Sequence, residues 1–259
     1  MADVSLTHYA FTPKDLEPLS EEERIFFVQG AGLLQEVASL QKYARMSRHG
    51  VTDHWERAAE NAQAMYFCRL LAGSLFEKWK TLHSDRYRAV RVKYRPMLDQ
   101  TSLTAYERLE SYFSAGDNLC CRVRNNLSHH HNYGEIRKVL RQWPQDQKLD
   151  VLISDRHANC AWLLNDLLTN FALFGVQDPE AGSESFFIDI CGVARDFMEA
   201  VGAFVAKILI EAIRASKLEG TDVVVRGAPA LSEVRLHYFV MDDEDLNPRE
   251  QDFPQRVPS

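Results

Sequence analysis

Along most of the chain, apolar residues recur every three or four positions, the period of a helix with one buried face. In residues 20–47, Phe26, Phe27, Gly30, Leu33, Leu34, Val37 and Leu40 share a side, and Ser20 with Glu23 forms the capping box that opens a helix. His49-Gly50 ends it. Asp53 is placed to cap a second long helix over residues 55–82. Its stripe of Ala58, Ala62, Met65, Tyr66, Arg69, Leu70, Gly73, Phe76 and Glu77 predicts close packing of another helix near Ala72-Gly73. Thr104 with Glu107 suggests another capping box, followed by an apolar face of Tyr106, Leu109, Tyr112 and Phe113 and a stop at Gly116. Asp117 can cap a short helix carrying Leu119, Val123, Arg124 and Leu127, and residues 136–143 form a basic helix ended by Pro144.

Residues 149–153 read as a short strand, 158–174 as a helix, and 178–183 as a loop. The longest helix, 186–217, is apolar over a wide face, which predicts burial against the bundle or a second copy. After Gly220 the period drops to two. Val223 to Val225, a turn at 227–229, and Val234 to Val240 predict a β-hairpin, which must dock on something because a lone hairpin is marginal. The expected fold class is all-α. An up-and-down helical bundle spans 20–218, an arm of residues 1–19 precedes it, and the hairpin at 219–241 and a mobile acidic tail at 242–259 follow.

Composition sharpens this. The 259 residues carry a net charge of −7, which argues against a general nucleic-acid coat because such binding needs many cations. The last 18 residues hold a net −4, leaving −3 elsewhere. Five cysteines without a CxxC pattern predict buried thiols and a reducing, cytoplasmic setting. Met1-Ala-Asp-Val lacks the start of a signal peptide, and charges at Asp189, Arg195, Asp196, Glu199 and Lys207 break the longest apolar run, so no membrane association is expected.

The candidate chemistry lies in residues 117–133. Arg124, Asn125, Asn126, His129, His130, His131 and Asn132 gather a permanent cation, three imidazoles and three amides. A guanidinium fork suits phosphate oxygens, and histidine exchanges protons near neutrality. Together they can cleave a phosphodiester without a metal. The plainer readings are a solvated triplet at a helix end and amides that cap backbone groups. Adjacent histidines fan out around a helix, and no HExxH or Cys/His quartet accompanies them, so no metal and no cofactor is expected. In an unbroken helix His131 returns to the face of Arg124, at roughly 100° per residue. Unwinding at Ser128 would instead turn His129 or His130 inward. Arg122, Arg137 and Lys138 add local positive charge. Arg86, Arg88, Arg91 and Lys93, interleaved with Tyr87 and Tyr94, form a second stretch that could follow an RNA backbone and stack a base, or serve as a solvated connecting face.

Arg124-Asn125 with a histidine five or six residues on resembles the Rx4–6H signature of the HEPN superfamily. Residues 70–79 (Leu-Leu-Ala-Gly-Ser-Leu-Phe-Glu-Lys-Trp) and 149–164 are similar to regions flanking that motif in an abortive-infection-like branch. Laid on without gaps, the family's Arg, Asn and His fall on Arg124, Asn125 and His130, while His129 and His131 replace its flanking aromatics. The resemblance implies a homodimeric helical bundle acting as a metal-independent endoribonuclease in a toxin or phage-defence system. Its site would be shared across the two-fold. His131-Asn132-Tyr133 is similar to a His-x-Tyr ending whose tyrosine a partner nucleotidyltransferase modifies, which implies such a partner or an antitoxin. The altered flank and the acidic total charge fit a different class: a non-catalytic helical dimer module that binds a nucleotide or protein partner.

Overall fold

The Ser20 side chain accepts the Glu23 amide at 3.2 Å, and the Glu23 carboxylate accepts the Ser20 amide at 2.8 Å. Helix α1 (Glu21–Met46) therefore starts where the capping box places it. The structure is a computed structural model that describes residues 2–48, 51–126, 133–155, 157–174 and 179–240. Asp53 caps α2 (His54–Leu82) by accepting the amides of Trp55 and Glu56, both at 2.9 Å. The remaining helices are α3 (Arg88–Tyr94), α4 (Gln100–Ser114), α5 (Leu119–Asn126), α6 (Tyr133–Gln142), α7 (Leu163–Phe174) and α8 (Pro179–Ser216). The all-α expectation holds, and no helix among the described residues is long and apolar enough to cross a membrane.

Several boundaries differ from the sequence reading. The helix expected at 158–174 begins only at Leu163. Helix α4 is capped by Asp99, which accepts the Ser102 amide at 2.8 Å, while Thr104 donates back to the Gln100 carbonyl inside the helix. Asn118 rather than Asp117 caps α5, accepting the Cys121 amide at 2.9 Å. The expected strand at 149–153 reduces to one bridge between Leu152 and Ala161. Helix α8 begins at Pro179, so most of the expected loop is its first turn; proline suits a first helical position, where no amide bond is lost.

Helix α8 is the pillar of the bundle. Phe186, Ile190, Ala194, Phe197, Val201, Phe204, Ile208 and Ala212 are buried at three- and four-residue spacing, against α1, α2 and α4. The wide apolar face is thus consumed largely within the chain. Around it, Phe26 meets Tyr87 edge-on at 5.2 Å, and Trp79 stacks on Phe113 at 5.4 Å. Helices α1 and α8 cross at Gly30, where an added Cβ would lie 2.7 Å from a methyl of Val205. Alanine normally gains roughly 1 kcal/mol over glycine inside a helix. Here overpacking outweighs that gain, and Gly30→Ala should destabilise by about 1–2 kcal/mol. Urea unfolding would show a lower midpoint at unchanged slope.

The expected hairpin is corrected. Strand β2 forms at Thr221–Ala228, but its antiparallel partner is β1 (Ala2–His8), pairing Val4 with Val225 and Leu6 with Val223. The residues expected as a separate N-terminal arm therefore close a ribbon with the far end of the chain. Asp3 opposes two residues, Arg226 and Gly227, and accepts the Gly227 amide at 3.1 Å. Gly227 takes φ 67°, which fits a bulge that glycine tolerates best. Val4, Leu6, Val223 and Val225 share one exposed face of this ribbon. The segment expected as the second hairpin strand instead lies on the bundle. The Leu236 amide donates to Met46 O at 2.8 Å, the Tyr238 hydroxyl to Cys160 O at 2.7 Å, and the Val240 amide to Asn159 Oδ1 at 3.0 Å. Its period of two arises because alternate side chains face the bundle, not because it pairs as a strand. The acidic tail lies outside the described residues.

Candidate functional site

Helix α5 is fixed by the fully buried Cys120 and Val123, and the Tyr112 hydroxyl accepts the Cys120 amide at 3.2 Å. This places Arg124 on the flank that faces α2. Its Nε donates to Glu77 Oε1 at 2.7 Å, Nη1 donates to Asn125 Oδ1 at 2.9 Å, and the guanidinium lies 5.8 Å from the Phe76 ring centroid. The pair is neither buried nor fully solvated, with the Arg124 and Glu77 side chains 41% and 46% exposed. Such a pair adds about 0–1 kcal/mol to stability. Its main effect is orientation, holding the Nε edge toward α2. Asn125 in turn donates to Cys121 Sγ at 3.3 Å, so its amide steers the arginine.

His129, His130 and His131 lie outside the described residues. Tyr133 opens α6 and is 77% exposed. Val139 and Trp143 anchor α6 in a cluster with Leu168, which leaves Arg137, Lys138 and Arg141 on its outer face. Arg122 is also exposed, 3.7 Å from Asp117, and donates to Leu173 O at 3.3 Å. The cations of α5 and α6 therefore reach the surface.

The second basic stretch divides. Arg86 and Arg88 are exposed. Arg91 donates to Leu82 O at 2.6 Å and Ser84 O at 2.9 Å, closing the end of α2. Lys93 bridges Glu23 at 2.6 Å and Glu211 at 2.8 Å, with the Tyr94 hydroxyl between the same carboxylates. Burial opposes the Glu23 charge, but hydrogen bonds from Lys93, the Ser20 amide and Tyr94 outweigh it and hold the carboxyl below its ordinary value. Tyr87 and Tyr94 are buried, so neither ring can stack a base. Here the functional reading of an aromatic and basic face gives way to a structural one.

The cysteines are thiols, and four are buried. Burial pushes the Cys120 thiol up to about 12 and raises Cys68 further. Because the thiolate is the reactive form, Ellman's reagent should modify about one cysteine, Cys121, in the native protein and all five after denaturation.

A second feature had no sequence signal of its own. A cavity of about 940 Å³ opens between the end of α1, the first half of α2, α7 and the start of α8. Asp166 and Asn170 line its inner wall; Arg48, Glu184 and Phe187 stand near its rim, with Arg48 ion-paired to Glu184 and 4.4 Å from the Phe187 centroid. Asp166 pairs with Arg69 at 2.6 Å. Beside the cavity, Glu56, Glu60 and His237 bring three potential ligand atoms within 4.8 Å of one another. Glu56 and Glu60 are visible in the sequence as a four-residue carboxylate spacing, but His237 arrives through tertiary structure alone.

Fold and site together define a helical bundle with an oriented, half-exposed arginine on α5 and exposed cations on α6. Comparison of the chain with protein-family models, curated proteins and solved structures finds no match.

Proposed function

We propose that this chain is a metal-independent endoribonuclease of the HEPN type, working as a homodimer in a toxin or phage-defence system. The observation that carries the reading is the Arg124 guanidinium, aimed by Glu77 and Asn125 and half open to solvent. In this reading the 2′-hydroxyl of RNA attacks its adjacent phosphate in line. His130, or a neighbour in the triplet, moves the proton, and Arg124 neutralises charge developing on the phosphoryl oxygens. Asn125 acts through Arg124 as a positioning residue. RNA rather than DNA is the substrate because the attack needs the 2′-hydroxyl. Arg122, Arg137 and Lys138 supply attraction for the backbone; Arg91 and Lys93 are left out, since both serve the fold.

The test is cleavage of a mixed-sequence RNA in EDTA by wild type, Arg124→Ala and His130→Ala, with light scattering to measure the dimer. Loss of cleavage in both folded variants supports the reading. A wild type that cuts nothing overturns it and leaves the alternative, a non-catalytic module with a nucleotide or protein partner. One observation favours that alternative: Glu77 already engages the Nε edge of Arg124. The exposed Tyr133 is open to a modifying nucleotidyltransferase, and an antitoxin belongs to the same proposal.

A further inference from the structure

We propose that Glu56, Glu60 and His237 bind one divalent transition-metal ion of the zinc or manganese class at the wall of the cavity. The argument starts on α2. Residues four apart share a helix face, and two carboxylates so placed repel unless positive charge lies between them. Glu60 is 2% exposed, so water screens its charge poorly. His237 Nδ1 stands 3.8 Å from Glu56 Oε1 and 3.9 Å from Glu60 Oε1. Those gaps are too long for hydrogen bonds. They suit ligands of a common ion: with metal–ligand bonds of about 2.0–2.2 Å, two donors on one metal lie roughly 3–4 Å apart.

The third ligand is delivered by a tethered segment. Leu236 bonds to Met46 O at 2.8 Å on one side of His237, and Tyr238 bonds to Cys160 O at 2.7 Å on the other. The imidazole thus reaches α2 from a segment held by a backbone amide on one side and by the Tyr238 side chain on the other. One nitrogen and two carboxylate oxygens favour zinc or manganese over magnesium and calcium, which take oxygen ligands, and over soft ions, which want sulfur. Three protein ligands leave a coordination position open. Because Glu60 also lines the cavity, a water or small oxygen ligand on that position would face it. Bound metal would also pin the C-terminal segment to α2. This site is separate from Arg124: on α2, Glu60 and Glu77 lie roughly 25 Å apart at 1.5 Å per residue. Metal uptake and cleavage in EDTA therefore fail independently.

The experiment is calorimetric titration of chelator-cleared, untagged full-length protein with Zn²⁺ and then Mn²⁺. His129, His130 and His131 are replaced by glutamine to remove a competing triplet. The expected result is one ion per chain at micromolar affinity or tighter, with a rise in melting temperature on loading. Affinity should fall about ten-fold or more in His237→Ala and in Glu56→Gln. Both sites of substitution are partly exposed, so the fold should survive, and circular dichroism checks that it does. Absence of saturable uptake would overturn the proposal. Uptake unchanged in both variants would overturn it too, by locating the ion elsewhere.

Discussion

Asp166→Asn should destabilise the fold by about 3–5 kcal/mol, the range for breaking a buried ion pair by removing one partner. Asp166 meets Arg69 at 2.6 Å, and the two side chains are 15% and 10% exposed. Arginine cannot shed its proton within a protein. Removing the carboxylate would therefore strand a buried cation at the inner wall of the cavity. The reverse change should be milder. Burial raises the Asp166 carboxyl above its ordinary value even though Arg69 and Asn170 work to lower it. In Arg69→Met the same carboxyl would take up a proton and become neutral. A folded-state pKa raised above the unfolded value of about 3.9 gives stability that is fully present below that value and lost as pH rises through the folded one. Arg69→Met should thus lose less at pH 5 than at pH 8; because wild-type Asp166 is itself raised, the loss in Asp166→Asn should be no larger at pH 8 than at pH 5. The double variant Arg69→Met/Asp166→Leu removes both charges and should sit closer to wild type than Asp166→Asn does. Urea unfolding at the two pH values reads all three. An Arg69→Met loss independent of pH would show that the carboxyl stays ionised without its partner.

The features legible in the sequence were those decided within a few residues. Ser20 with Glu23, and Asp53, mark helix starts because a side-chain oxygen reaches an amide two or three residues on. The seam of α8 is legible because burial repeats with the helix. Thr104 misled because its hydroxyl can bond either a following amide or the carbonyl four residues back, and Asp99 takes the cap. The ribbon was legible only by half. Val223 to Val225 alternate like a strand, but the partner lies at the opposite end of the chain, and no turn joins the two. At the site, Arg124 and Asn125 stood out as residue types, and Glu77 stood out only as part of a stripe. Their meeting depends on how α5 docks on α2, which is set by Cys120 and Val123 rather than by the charged residues. The cavity and His237 depend on four helices and a returning segment, so no local pattern announces them.

Arg124→Ala should lower the rate of RNA cleavage in EDTA by about 10²-fold or more, the cost typical of removing a preorganised group that stabilises developing charge. The same substitution should change stability by less than about 1 kcal/mol, because the ion pair it breaks is half-exposed. That contrast separates a lost site from a lost fold. Glu77 then discriminates between holding the arginine and competing with its substrate. Glu77→Gln keeps an oxygen that can accept from Nε but removes a negative charge beside the phosphate. It should lower KM for RNA several-fold, most clearly at low salt, and leave kcat within a few-fold. Glu77→Ala removes the acceptor as well, so the guanidinium is no longer oriented, and kcat should fall roughly ten-fold even where KM improves. A merely structural role for Glu77 would move stability and leave this split absent. Full kcat in Glu77→Ala would remove it as a positioning residue, and wild-type cleavage by Arg124→Ala would remove the ribonuclease site from α5 altogether.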